Sequence, residues 1–407
     1  MDRFERAIQN LRVRRQRILD GYINCIPLPF NRLSKWWPGI ERKKYIICTA
    51  NQKVGKSKLC DFLYVYQALF YAMEHPNQLR LNILYFTLEM GQEEKYYEFI
   101  SYLLNKLDNI RISPSNLKSV DAKNPVSEEI LDLLETEKYK KYIDYYKQHV
   151  EYVDDIKNPT GIYKKVKDFM SSKGKFHYKK VKIKDEFGVI KEVDKKDYFE
   201  YNDSEEYNIV IIDNYSNLSL EQGMNKMANI DKWSKYAIEL RDSYELIIVG
   251  IQHQAQSQEG IENQKLNKLY PSADGLADCK TTSRDLNMLI GLFSPFKYGI
   301  SEYGGFDITK FKNNIRFLLI IEDRDYGSGG QICPLLFDGE VSSFSELPLP
   351  EDKNSIEKVY KYINTVIRKT ASSVFLLKNN KKNIKNNRQK LFNKWNVIVE
   401  KIKQGIL

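Results

Sequence analysis

Apolar positions along this chain change their period several times, and each change marks an element. Phe4, Ile8, Leu11, Ile18 and Leu19 recur at roughly helical spacing among arginines, which predicts one basic helix over residues 1–22. Pro27, Pro29 and Pro38 then forbid helix, because proline lacks an amide hydrogen and its ring clashes with the preceding turn. "KKYIICTA" is a short continuous apolar run of β-forming residues ending at a glycine-containing loop. "SKLCDFLYVYQALFYAMEH" is apolar all round, as a buried helix would be. "LNILYFTLEM" reads as a second buried strand, and "GQEEKYYEFISYLLNKL" as a helix. This order predicts an α/β fold with a central, mainly parallel sheet flanked by helices.

Residues 106–207 have the weakest periodicity, being rich in Lys, Asp, Glu and Tyr. They read as a charged insertion between core strands, partly exposed, with a hairpin turning near Gly188. Regular structure resumes at "YNIVIIDNYSNL", followed by a helix near "NIDKWSKYAIELRDSY" and the strand "ELIIVGIQHQ". A polar loop runs from Ala255 to Lys268. Two more strands, "NMLIGLFSP" and "NIRFLLIIEDRD", precede the glycine-rich "YGSGGQICPLLFD". From Pro350 onward Ile356, Tyr360, Ile363 and Ile367 keep helical spacing and predict a separate helical tail, so that the main domain spans residues 23–349 and the tail 350–407.

Composition narrows the class. With 407 residues, 42% hydrophobic and 29% charged, the chain can bury a large core and is not disordered by composition. No apolar run reaches the roughly 20 residues that span a bilayer, and the N-terminus lacks the apolar core of a secretory signal, so no membrane partner is expected. The five cysteines lie far apart without Cys-x-x-Cys pairs, which argues against zinc and disulfides and suits a reducing, cytoplasmic setting. Residues 351–407 hold 14 Lys/Arg against 4 Asp/Glu, which accounts for the whole net charge of +10. A basic tail on a neutral body suggests an anionic partner such as nucleic acid, although it also serves as a solubilising segment.

Candidate chemistry gathers at strand ends. In "TANQKVGKSK" the residues Ala50, Asn51, Gln52, Lys53, Val54, Gly55, Lys56, Ser57 and Lys58 lie between an apolar strand and a buried helix. Backbone amides of such a turn wrap phosphate oxygens, Gly55 permits close approach, Lys56 bridges the β- and γ-phosphates, and Ser57 offers a hydroxyl to Mg²⁺. Ala50 stands where the general phosphate-loop pattern begins with glycine. Asp213 ends the run "IVIID", where a carboxylate holds magnesium through water. Glu89 ends the strand after the loop helix and is placed to polarise an attacking water. Gln252 ends another strand, where an amide can sense the γ-phosphate. His253 has no partner histidine at metal spacing and reads as structural or as part of a DNA loop.

Taken in order, these segments resemble the motor domain of DnaB-type replicative helicases, hexameric RecA-like ATPases, over residues 20–345 apart from the insertion. "LPFNRLSKWWPGIERKKYIICTANQKVGKSKL" looks like that family's opening segment and Walker A loop, which begins with Ala or Gly. "FTLEM" is close to the S-L-E-M strand and makes Glu89 the expected base; "VIIDNYSNL" resembles the Walker B strand and gives Asp213; "IQHQAQSQE" resembles S-Q-L-N-R and makes Gln252 the sensor. "DGLADCKTTSRDLNMLI" resembles a DNA-contacting loop, and "IIEDRDYGSGG" resembles K-Q-R-N-G, whose arginine, here Arg324, reaches a neighbour's nucleotide. The resemblance implies ATP and Mg²⁺ as ligands, single-stranded DNA in the pore of a hexamer, and a primase, loader or polymerase as further partners. Lys226, Lys265, Lys268 and Lys280 are the lysines available to DNA in the expected pore loops, residues 216–228 and 253–282. A RecA-like filament-forming repair ATPase and a non-motor ATP-binding adaptor are the alternatives. The departures are Glu322 where the family has lysine, Ala277 where it has arginine, and Lys280 where it has glycine. The family's N-terminal domain has no counterpart here, and the basic helix of residues 1–22 resembles its linker helix. So divergent a member is expected of a phage or other mobile element.

Overall fold

The computed structural model describes residues 3–184, 190–266 and 268–368. Eleven strands organise them: β1 (Lys44–Ala50), β2 (Arg80–Thr87), β3 (Val150–Val153), β4 (Gly174–Lys184), β5 (Ile190–Tyr201), β6 (Glu206–Asp213), β7 (Ile247–His253), β8 (Met288–Phe293), β9 (Ile315–Asp323), β10 (Ile332–Asp338) and β11 (Ser343–Glu346). All but β4 and β5 form one nine-stranded sheet in the order β11-β10-β9-β8-β1-β7-β6-β2-β3. From β8 to β3 neighbours run parallel, and β9, β10 and β11 add an antiparallel edge. The fold is therefore the α/β, RecA-like arrangement that the order of elements implies.

Strand periodicity divides the core into two layers. In β1, Ile46, Cys48 and Ala50 face one layer while Tyr45 and Ile47 face the other; in β6, Ile209 and Ile211 oppose Val210 and Ile212. Because both faces are covered, these strands read as unbroken apolar runs. The first layer is closed by the helix that starts with α2 (Lys56–Cys60) and continues through a wider-wound turn, Asp61–Gln67, to Glu74. With it pack α3 (Gln92–Asp108) and α4 (Glu137–His149). The second layer is closed by α5 (Pro159–Ser171) and α6 (Lys226–Tyr244), through Ile162, Val166, Trp233 and Ala237.

Two segments differ from the sequence expectation. Residues 106–207 are more regular than their composition suggests: they supply the edge strand β3 and the covering helices α4 and α5. Their apolar positions are short and interleaved with charge because each element buries only one side, which masks the period. The charged hairpin is the β4–β5 ribbon, anchored at its base by Phe176 and Phe199 against Tyr244; the expected turn at Gly188 lies outside the described residues. The predicted tail begins not as a separate unit but as α7 (Lys353–Tyr362) and a further turn, Ile363–Ile367. Ile356, Val359, Ile363 and Val366 are buried against Phe311, Ile315, Phe317 and Leu336.

The N-terminal helix, α1 (Arg3–Leu19), stands apart from this core. Phe4, Leu11, Ile18 and Leu19 are all exposed, and arginines tether it: Arg6 to Asp197, Arg14 to Glu41 and Arg17 to Glu205. No helix among the described residues is long and apolar enough to cross a membrane.

Because Ile363 is fully buried, Ile363→Ala should lower stability by about 3 kcal/mol in urea unfolding, the usual cost of emptying a core site. The exposed Leu349, changed to alanine, should stay within roughly 0.5 kcal/mol of the parent.

Candidate functional site

β1 ends at the middle of the sheet, with Ala50 in register with His253 of β7. The loop that follows turns through two left-handed residues, Lys53 (φ 60°) and Gly55 (φ 104°). Gly55 is required twice over: its φ is costly for other residues, and a Cβ there would lie 3.3 Å from the Phe337 ring. The loop is braced from below. Arg316 on β9, 1% exposed, donates Nε–H to the Val54 carbonyl at 2.7 Å, and its remaining donors go to Asn313 and the Ile315 carbonyl. Burial pushes this guanidinium down to about 9. Asn51 ties the loop sideways to Tyr298 and to the Leu269 carbonyl.

Four side chains converge at the mouth of this loop. Lys56 is buried, and its Nζ lies 2.9 Å from His253 Nδ1. Among the described residues no carboxylate is in ion-pair range of Lys56, so the loop presents an ammonium whose charge is unspent. Burial lowers the affinity of Lys56 for its proton, and nearby acids oppose that. Ser57 Oγ donates to Asp213 Oδ1 at 3.1 Å. A hydroxyl beside a carboxylate on adjacent strand ends is a hard-oxygen pair of the kind magnesium takes, so these residues fit that ion. Glu89 lies exposed beside them and accepts a hydrogen bond from Asn214 Nδ2, the residue after Asp213. Lys56, Ser57, Asp213 and Glu89 are thus brought together. Ala50, Asn51, Gln52, Lys53, Val54 and Gly55 form the loop itself.

Two of the sequence-derived site residues point elsewhere. Lys58 turns away from the loop to Glu98 and Ser342, at 3.2 and 2.9 Å. Gln252 is fully buried: its Nε2 donates to the Ala277 and Cys279 carbonyls, and its Oε1 accepts from Thr282. Strand alternation explains this, since Gln252 and His253 must face opposite sides of the sheet. The residue facing the phosphate loop is His253, which the sequence reading passed over; its signal was only its place one step further along the same strand. Gln252 instead pins the loop of residues 277–282.

The loops expected near DNA meet each other. Ser216 Oγ donates to Asp278, and Lys226 sits 3.7 Å from the same carboxylate. Lys265, Lys268 and Lys280 are exposed. Arg324 lies at the opposite end of the sheet: β9 runs antiparallel to β8, so its end falls beside the start of β1, where Lys44 pairs with Asp325 at 2.9 Å. The length of β1, about 20 Å, therefore separates Arg324 from its own phosphate loop. Arg324 is exposed and donates to the Arg284 carbonyl.

Burial and the Lys56 ammonium push His253 down to about 4, against 6.5 when free. The folded state thus resists a proton that the unfolded chain accepts, and stability falls as pH drops from 6.5 toward 4. His253→Gln should shrink the stability lost between about pH 7 and about pH 4.5 by about 2 kcal/mol in urea unfolding. The full shift converts to roughly 3, reduced because the ring is partly solvated.

Comparison with known proteins bears on the fold. No family model and no curated protein matches the sequence. Among solved structures, the ATPase domain of a DnaB-like helicase superposes with a TM-score of 0.61 at 15% identity, covering 86% of this chain and 100% of that one. A second DnaB-like replicative helicase, solved in a study of its interactions with primase, gives 0.56 at 15% identity over 80% of this chain and 64% of its own. The chain is built on the RecA-like fold of DnaB-type ATPase domains.

Proposed function

We propose that this chain is an ATP-dependent DNA helicase of the DnaB type, working as a ring, with a hexamer the expected number. The observation that carries the reading is the split of the site across the sheet. Lys56, Ser57, Asp213 and Glu89 gather at one end, and Arg324 is exposed about 20 Å away at the other, where only a second copy can use it. The exposed apolar residues of α1 suit docking on that neighbouring copy.

In this reading Lys56 leaves the neutral His253 imidazole for the β- and γ-phosphates of ATP, an exchange that restores a full counter-charge to a buried ammonium. His253 then faces the γ-phosphate, the task expected of Gln252. Ser57 and Asp213 would hold Mg²⁺, which when bound neutralises charge on the phosphates. Glu89 accepts a proton from the water whose oxygen attacks the γ-phosphorus as the bond to the ADP oxygen breaks. Arg324 of the next copy completes the charge stabilisation, with Glu322 lowering the net charge beside it. Lys226, Lys265, Lys268 and Lys280 are the groups to meet single-stranded DNA, largely through phosphates. A primase, loader or polymerase would be a partner of the assembled ring.

Glu89→Gln should reduce DNA-stimulated ATP turnover by about 100-fold or more while leaving ATP binding intact, the loss expected for a general base. Absence of turnover in the parent would overturn the motor reading in favour of an adaptor. Forked substrates with 5′ or 3′ tails should be unwound from the 5′ tail only. Negative-stain images on single-stranded DNA should contain rings; filaments would favour a recombination ATPase of the same fold.

Residues 369–407 carry 10 Lys/Arg and 1 Glu. Their removal, which spares the packed α7, should weaken DNA binding and flatten its salt dependence by roughly 0.7 to 0.9 log units per lost phosphate contact. An unchanged slope would assign the tail another role.

A further inference from the structure

Behind the metal-side carboxylate lies a charge cluster that the hydrolysis scheme does not use. Lys95 on α3 is completely buried, six residues after Glu89. Its Nζ lies 2.8 Å from Asp61 Oδ2, 3.0 Å from the Tyr85 hydroxyl and 3.5 Å from Asp213 Oδ2. Burial by itself would lower Lys95, but Asp61, Asp213 and Glu98 outweigh it and hold the ammonium charged. Burial pushes Asp61 up to about 6 against the pull of Lys95.

Hydrogen-bond directions in this cluster are forced. An ammonium only donates, so the Tyr85 hydroxyl accepts from Lys95 and must spend its single hydrogen on Asp213 Oδ2, 3.1 Å away. Asp213 Oδ2 is thereby occupied, and Oδ1 is left to Ser57 and the loop mouth. A buried ion pair kept for stability alone would be matched by apolar packing of the same volume. Asp61 Oδ1 has no hydrogen-bond partner among the described residues, so Asp61 serves this cluster chiefly as the counter-ion of Lys95.

We propose that Lys95, neutralised by Asp61 and acting through Tyr85, is a positioning residue that turns one oxygen of Asp213 inward and presents the other to the nucleotide-bound divalent cation. This rests on the nucleotide-site reading above. The cluster joins the phosphate-loop helix, the strand leading to Glu89 and the strand ending in Asp213, so it sets three parts of the site relative to one another.

The test replaces the ion pair as a unit, Lys95→Met with Asp61→Leu, which removes the hydrogen bonds to Asp213 while leaving the local charge balanced. Mn²⁺ binding to the full chain with a non-hydrolysable ATP analogue, followed by electron paramagnetic resonance, should weaken by about 10-fold or more, the usual loss when a partner behind a metal ligand is removed. The thermal midpoint and the affinity for the nucleotide without metal should stay at parental values, as a purely structural role would not produce that pattern. Mn²⁺ affinity within twofold of the parent, in a folded double variant, overturns the proposal. Should the double variant not fold, Tyr85→Phe decides: it deletes only the bridging hydroxyl, and unchanged Mn²⁺ affinity there also overturns it. A parent chain that binds neither nucleotide nor Mn²⁺ refutes the nucleotide-site reading instead.

Discussion

A buried carboxylate must have both oxygens satisfied, and at Asp213 that requirement organises the centre of the molecule. One oxygen meets the phosphate-loop helix through Ser57, and the other meets the strand and helix around Glu89 through Tyr85 and Lys95. Leaving either unpaired so far from water would cost on the order of 1–3 kcal/mol, more for a charged group. The elements that converge here are therefore held by one side chain, and the parallel strand ends cannot drift apart without breaking a charge-assisted bond.

Much of the fold is legible in the sequence because parallel strands buried on both faces leave continuous apolar runs between turn residues. Tyr45–Cys48, Ile83–Phe86, Ile209–Ile212 and Ile247–Ile251 all announce themselves in that way. Elements that bury one side only are harder to read. The edge strand Val150–Val153 has Glu151 exposed in its middle, and α4 and α5 show their apolar positions amid lysines. The docking of the segment after Pro350 is hidden for a different reason: helical spacing identifies a face to be covered, but not the body that covers it.

The site divides along the same line. Residues whose chemistry depends on chain geometry near one loop, such as Gly55, Lys56 and Ser57, are readable from local pattern. Gln252 and His253 are not, since choosing between them requires knowing which side of the strand faces the loop. Lys95 and Asp61 lie 34 residues apart, in helices with no sequence signature of contact, and only the three-dimensional arrangement brings them behind Asp213.

β9 has a foot in each of two places. Near its start Arg316 carries the Val54 carbonyl of the phosphate loop, and just past its end Arg324 is exposed at the far edge. Eight residues of extended chain, about 26 Å, lie between them. In a closed ring each copy would then contribute one such strut, tying the floor of its own loop to the arginine that leans toward the next. Successive sites would be linked end to end by a hydrogen-bonded strand, stiff along its length, so that the circuit of the ring would pass through backbone and not through solvent-exposed loops.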